Sequence, residues 1–475
     1  MVVERGKKYR PWDPEAFANH TYTAKDRLPE DDLVFFLLDV IPQLDLSRFY
    51  ASYEVEKRGA PPFDPGMMAT LLFYSYSVGV FSSRKIALAC ERNLAFLAIV
   101  GPHRPDFRTI SDFRKEHLRL LPDFFNQVLK LAHAAGLVQL GLFATDGSKL
   151  PGNASRHHAM SYGYMLKEEE RLQAEIADLL KQAQQTDEAE DAALGATRGD
   201  QLPEELRFRE ERLTKILEAK KRLVEQAKEA AEAERLRRAE VEAERERAGT
   251  KRPGKEPKPV SDLPDDKAQT NFTDPELKIM PQSNKSFEYS GNAQVVVDDA
   301  CQIIVACDVV LQSNDKQQAV PMAQQALANL EAAGIARPTD ATGQVQKIIS
   351  VEDTGYFSAC AVAGLEELGL DPYIAVERQK HHAPALPAPA EAVAVSGKAT
   401  PQEKMRAKLR TTRGRAVYGL RKGVVEPVFG QIKGVRGFRR FSLRGLEKIK
   451  GEWCLVCLTH NLLKLWRYRC APSVN

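Results

Sequence analysis

The stretch Asn292-Ala-Gln-Val-Val-Val-Asp-Asp-Ala-Cys-Gln-Ile-Ile-Val-Ala-Cys-Asp-Val-Val310 decides the fold. Two β-branched runs, residues 292–297 and 302–310, flank Asp298-Asp-Ala-Cys301, and this reads as a β-hairpin. Upstream, the short apolar run 142–145 ends on Asp146 and predicts a strand that presents its acid at the strand end. Downstream come a helical pattern over 315–333, a strand over 347–351 ending near Asp353, a helix over 356–368 and a strand over 373–376. Three strands followed by alternating helices and strands predict an α+β or α/β domain, a mixed sheet flanked by helices.

Outside this core the composition changes. Residues before about 136 show helical patterns over 31–40, 65–76, 82–90, 110–114 and 121–135, and predict an all-helical domain. Two of these helices carry Arg84, Lys85, Arg108 and Arg114. They suit either a helix-turn-helix-like DNA reader or a plain solvated basic face. Residues 166–247 are almost wholly Ala, Glu, Lys, Arg, Leu and Gln, with Leu172, Ile176 and Leu179 on one stripe and Leu206, Leu213, Leu217 and Val224 on another. A loop over 191–200 separates them, so an antiparallel helical hairpin is expected, followed by a Pro- and Lys-rich linker over 249–266. A second linker, rich in Ala, Pro and His, is expected over 380–401.

The chain has 475 residues, enough for two or three domains, and its net charge of +3 hides an uneven distribution. Residues 404–450 hold fifteen Lys or Arg against Glu426 and Glu447, an excess that suits phosphates. Seven cysteines without a repeating spacing indicate neither a disulfide framework nor a zinc ribbon, and a cytoplasmic location fits them. Cys454 and Cys457 form a CxxC within an apolar run and are expected to be buried. The charged start does not resemble a secretory signal, and the uncharged run 65–83 is read as a core helix rather than a membrane span.

Three acids carry the expected chemistry. Asp146 precedes Gly147-Ser-Lys149, Asp353 precedes Thr354-Gly-Tyr356, and Glu426 sits in the apolar helical run Val424-Val-Glu-Pro-Val-Phe-Gly430. Hard divalent ions prefer carboxylate oxygens, and a pair of such ions activates a water or 3′-hydroxyl while stabilising the leaving oxygen. Singly, an Asp at a strand end is usually a turn former, and the case rests on all three acids together.

The segments Ala144-Thr-Asp-Gly-Ser-Lys149, Val351-Glu-Asp-Thr-Gly-Tyr-Phe357 and Tyr418-Gly-Leu-Arg-Lys-Gly-Val-Val-Glu-Pro-Val-Phe-Gly-Gln-Ile-Lys433 resemble bacterial insertion-sequence transposases of the DDE class, in the insertion-sequence 1182-like branch. That family carries a Tyr, Arg, Glu, Lys signature, which here falls on Tyr418, Arg421, Glu426 and Lys433, with the Arg to Glu gap one residue longer than usual. The resemblance implies a ribonuclease-H-like core, two Mg²⁺ or Mn²⁺ ions on Asp146, Asp353 and Glu426, and no organic cofactor. It implies double-stranded DNA partners, namely terminal inverted repeats and target DNA, a homodimer, and a nucleoid-associated bacterial protein with no membrane role.

The segments are then a helical DNA-binding domain over 1–136, core over 137–165, hairpin insertion over 166–248, linker over 249–270, core over 271–379, linker over 380–412, and the last catalytic helix with a C-terminal helix over 413–475. Tyr418 and Arg421 would steady a DNA end, Lys433 would meet a phosphate from two helical turns beyond Glu426, and Lys149, Arg436, Arg439, Arg440 and Arg444 would contact the backbone. For the arginine group a solvated basic face is the competing reading. His157 and His158 are expected to contact DNA or lie exposed, and His460 to be a satisfied interior histidine. A DNA-binding descendant that cuts nothing and a nuclease without strand transfer are the alternative functions.

Overall fold

The computed structural model describes residues 26–54, 61–194, 204–248, 258–377 and 399–471. The expectations for the N-terminal start, for residues 249–257 and for most of the 380–401 linker lie outside them.

The quoted stretch forms β5 (Phe287–Asp298) and β6 (Ile303–Val310), paired antiparallel. Their register shifts between Val296 and Val297, and the side chain of Asn461 closes the gap. Ile304 N–H donates to Asn461 Oδ1 at 2.9 Å and the Asn461 amide donates to Ile304 O at 2.8 Å, so the bulge leaves these two groups paired. With β1 (Leu142–Pro151), β4 (Lys278–Pro281), β7 (Ile348–Glu352) and β8 (Leu370–Ile374) the sheet runs β4-β5-β1-β7-β8, and β6 pairs with β5. β5 is antiparallel to β1, β4 and β6, whereas β7 is parallel to β1 and β8 to β7. This is the mixed sheet expected from the sequence.

One expectation is corrected. Asp146 lies in the middle of β1 and not at its end, because β5 is long enough to pair with β1 from Phe143 to Pro151. Gly147 leaves room beside Asp146 for the Gln294 side chain, since a Cβ there would meet Gln294 Nε2 at 2.2 Å.

Ahead of the sheet are α1 (Leu33–Val40), α2 (Ser47–Glu54), α3 (Pro65–Ser77), α4 (Ser83–Arg92), α5 (Leu94–Val100), α6 (Phe107–His117) and α7 (Leu121–Ala134). Asp64 caps α3 by accepting from Met67 N–H at 2.9 Å, with Pro65 in the first turn. No described helix is long and apolar enough to cross a membrane. Two long helices, α8 (Tyr162–Leu194) and α9 (Glu204–Ala248), form the expected hairpin and begin a few residues before the anticipated 166. They leave from β2 (Ala159–Ser161), which pairs with β3 (Gln269–Asn271) where the chain returns.

After the sheet's own helices α10 (Ala319–Ala332) and α11 (Ala359–Glu367) come α12 (Pro401–Arg410), α13 (Thr412–Gly430) and α14 (Leu446–Cys470). α14 packs on β6 on one side and on α3 and α7 on the other, so residues 451–462 are buried all round. Trp453 at its centre donates to Gln294 O at 3.0 Å. Cys454 and Cys457 are buried there as expected, and His460 donates its Nε2–H to Gln302 O at 3.0 Å while burial pushes its pKa down to about 3.

Candidate active site

Parallel pairing sets the two Asp residues side by side. Thr145 is paired with Glu352, so Asp146 and Asp353 are the next residues on adjacent chains, which lie about 4.8 Å apart. Asp353 caps a short 3₁₀ turn, Thr354–Tyr356, accepting from Gly355 N–H at 2.7 Å. Asp146 accepts from Gly147 N–H at 2.8 Å. Burial pushes its pKa up to about 6; Arg421 opposes the rise, and the charges of Asp353 and Asp315 add to it.

α13 lies against β1, β5, β7 and β8 and brings Arg421 to the same place. Its guanidinium donates to Asp146 Oδ2 at 3.3 Å and lies 3.7 Å from Glu426 Oε1. Burial disfavours the Arg421 charge, yet Asp146, Tyr418, Asp353 and Glu426 outweigh it and raise its pKa. Tyr418 is half-buried beside Arg421, and its hydroxyl pKa is raised, chiefly by burial. Glu426 is about half exposed, at 53%. Pro427 follows it inside the helix and cannot donate an N–H, so Gly423 O is taken instead by the Gln302 amide at 2.9 Å.

Past Gly430 the helix widens into a π-turn over Gln431–Val435, so Lys433 is not two ideal α-turns beyond Glu426 as expected. The wider turn carries its ammonium onto β1, where it donates to Ser148 Oγ, two residues from Asp146. Burial lowers the Lys433 pKa, and Asp146 opposes that.

Two basic residues expected at DNA are turned inward, which corrects those assignments. Arg436 is 7% exposed and donates to Thr459 Oγ1 and Val456 O, both at 2.8 Å, so it ties the π-turn to α14. Arg114 is 6% exposed and donates to Tyr76 Oη and Phe81 O, both at 2.9 Å. In both cases the surrounding carbonyls and hydroxyls use the donors that a phosphate would need. By contrast Arg84, Lys85, Arg108, Arg439, Arg440 and Arg444 are exposed, and Lys149 is half-buried on β1. Arg84 and Arg108 sit over the Phe107 ring at 5.1 and 5.4 Å. His157 and His158 lie exposed in a 3₁₀ turn, and a His158 nitrogen is 3.3 Å from Thr273 Oγ1.

The sequence reading missed Asp315, which follows β6 in Ser313-Asn-Asp-Lys316 and looks there like any polar turn. A signal was present in Asn292 and Gln294, two amides directly before the apolar run Val295–Val297, both of which donate to it.

The acids offer hard oxygen donors suited to Mg²⁺ or Mn²⁺. Among the described residues no group of three or more His, Cys, Asp or Glu side chains stands ready to hold a metal ion. The cation seated between Asp146 and Glu426 is the Arg421 guanidinium, so the place fits positive charge.

The family described as a transposase domain (DUF772) matches residues 22–116, and the family described as a transposase DDE domain matches residues 390–466. The second match covers Tyr418, Arg421, Glu426 and Lys433. No curated protein and no solved structure matches the chain.

Proposed function

We propose, from the premise that this chain belongs to the insertion-sequence transposases of the DDE class, that it cuts the inverted-repeat ends of its own element and joins them to target DNA. The observation that carries this reading is the meeting of Asp146 and Asp353 on neighbouring parallel strands, with Arg421 linking Asp146 to Glu426. The strand order β6-β5-β1-β7-β8, with three antiparallel strands and then two parallel ones, supports a ribonuclease-H-like core. The motifs around Asp146, Asp353 and Glu426 are the basis for the insertion-sequence 1182-like branch.

Asp146, Asp353 and Glu426 would hold two Mg²⁺ or Mn²⁺ ions, which supply activation of a water or 3′-hydroxyl and stabilisation of the leaving oxygen. Arg421 neutralises the acids until a phosphate competes for its guanidinium, a planar fork that suits phosphate as well as carboxylate. Lys433 is held over Ser148 on a short tether and meets the phosphate beside the cut as a point charge. Tyr418 packs beside Arg421 and steadies the DNA end, while Arg439, Arg440, Arg444 and Lys149 contact the backbone. Arg84, Lys85 and Arg108 form an exposed basic face on α4 and α6 that takes a second stretch of duplex. Joining two ends calls for two subunits, so a homodimer acts, at the nucleoid of a bacterial cytoplasm.

The test incubates purified protein and Mg²⁺ with labelled element-end duplex and a plasmid. Cut ends joined to the plasmid are expected. Cut ends alone would reduce the reading to a nuclease, and a gel shift without any cutting would contradict it.

A further inference from the structure

Asp315 is built into the site more firmly than Glu426. It lies in the turn between β6 and α10, and its Oδ1 accepts from Asn292 Nδ2 at 2.8 Å and Gln294 Nε2 at 2.7 Å. Both amides come from β5 and are buried. Gln294 Oε1 in turn accepts from the hydroxyl of Tyr356, which belongs to the turn that Asp353 caps. One network therefore fixes Asp315 against the segment that carries Asp353.

The other oxygen faces that turn. A Cβ placed on Gly355 would lie 2.9 Å from Asp353 Oδ1 and 3.4 Å from Asp315 Oδ2, so the two carboxylates flank one point. Asp146 feels the charges of both. Neutral amides orient a carboxylate without cancelling its charge, and a partly buried charge needs a cation. Among the described residues no ion pair joins Asp315 to a Lys or Arg. A separate sign of cation demand is the Arg421 guanidinium, which is 11% exposed and donates to Asp146 Oδ2 among these acids.

Resting on the transposase reading, we propose that Asp315 is a further carboxylate ligand of a divalent cation, making an inner acidic set with Asp146 and Asp353. Glu426 closes the outer side when Arg421 turns away to DNA. Among the described residues no three acids stand within reach of one ion, so Asp146, Asp353 and Asp315 would have to close on it.

The test titrates Mn²⁺ into the full chain without DNA, follows free Mn²⁺ by electron paramagnetic resonance, and records a thermal melt for each variant. Asp353→Asn is expected to lose Mn²⁺ binding. Asp315→Asn is expected to weaken it about tenfold or more with little change in melting temperature, and Gln294→Met to weaken it by a smaller factor with Asp315 intact. Binding by Asp315→Asn and Gln294→Met within about twofold of wild type, with Asp353→Asn defective, would overturn the role of Asp315 and leave the transposase reading standing. Wild-type protein that takes up no Mn²⁺ would overturn both.

Discussion

The sheet and the helical hairpin are held together by different physics. Around the sheet, Trp453, Phe438, Phe441, Tyr289 and Tyr356 are buried in one core continuous with the N-terminal helices, and Trp453 and Asn461 inside it are matched to specific backbone carbonyls. The hairpin has a separate core of Tyr162, Met165, Leu172, Ile216, Ala219 and Leu223, and an ion-pair ladder along its flank. Glu168 is buried between Arg171 and Arg212, at 2.7 Å from each, and Lys220 reaches Glu169 at 2.6 Å. One region fixes its polar side chains through specific hydrogen bonds; the other is held by a narrow apolar stripe and charges along its flank. The chain enters the hairpin from Ser161 and returns at Gln269, and those two residues are paired in a separate two-stranded ladder.

If chemistry resides in the sheet alone, the largest effect is expected there. Asp353→Ala should lower Mg²⁺-dependent cutting of element-end DNA at least about a thousandfold, with a far-ultraviolet spectrum like that of the wild type. Substitutions in the ladder, such as Lys220→Ala, should leave cutting within about twofold.

A smaller contrast separates two arginines only three residues apart. Arg436→Ala removes three donors from buried acceptors and should cost about 2–3 kcal/mol in denaturant unfolding. Arg439 is exposed and donates to Lys433 O at 3.0 Å, so Arg439→Ala should cost under about 0.5 kcal/mol while weakening DNA binding and its salt dependence.

His460 gives the core a pH signature of its own. Its folded pKa, near 3, lies below the ordinary 6.5, so its contribution is complete above 6.5 and is lost as pH falls from 6.5 towards 3. His460→Gln should flatten that part of the stability profile measured by chemical denaturation. The smallest expected effect is that of excision: an Asn-Gly turn replacing residues 162–268 should shift the melting of the sheet by only a few degrees, since Ser161 and Gln269 already face each other.

Sequence alone disclosed the elements that follow a repeating pattern. The β5 and β6 runs, the alternation into β7 and β8 and the two helices of the hairpin each repeat over enough residues to be read, although Leu217, expected on the second stripe, is 40% exposed while Ile216, Ala219 and Leu223 face the hairpin core. The adjacency of Asp146 and Asp353 needed the register of β1 against β7, which no local pattern encodes. The fates of Arg114 and Arg436 were equally hidden. An arginine pointing at buried oxygens and one pointing at water have the same spelling, and the difference lies in what α3 and α14 place opposite them, Tyr76 Oη for Arg114 and Val456 O for Arg436. Asp315 was invisible because its meaning comes from Asn292 and Gln294, two residues on another strand.

The central claim is that Asp146, Asp353 and Glu426 share one cation site. Loading the full chain with Fe²⁺ and triggering hydroxyl-radical cleavage of the polypeptide tests it directly, because scission is confined to backbone near the bound ion. The account predicts cuts close to residues 146, 353 and 426 together, all suppressed by excess Mg²⁺. Cuts that spare the segment around Glu426, or that Mg²⁺ fails to suppress, would contradict it.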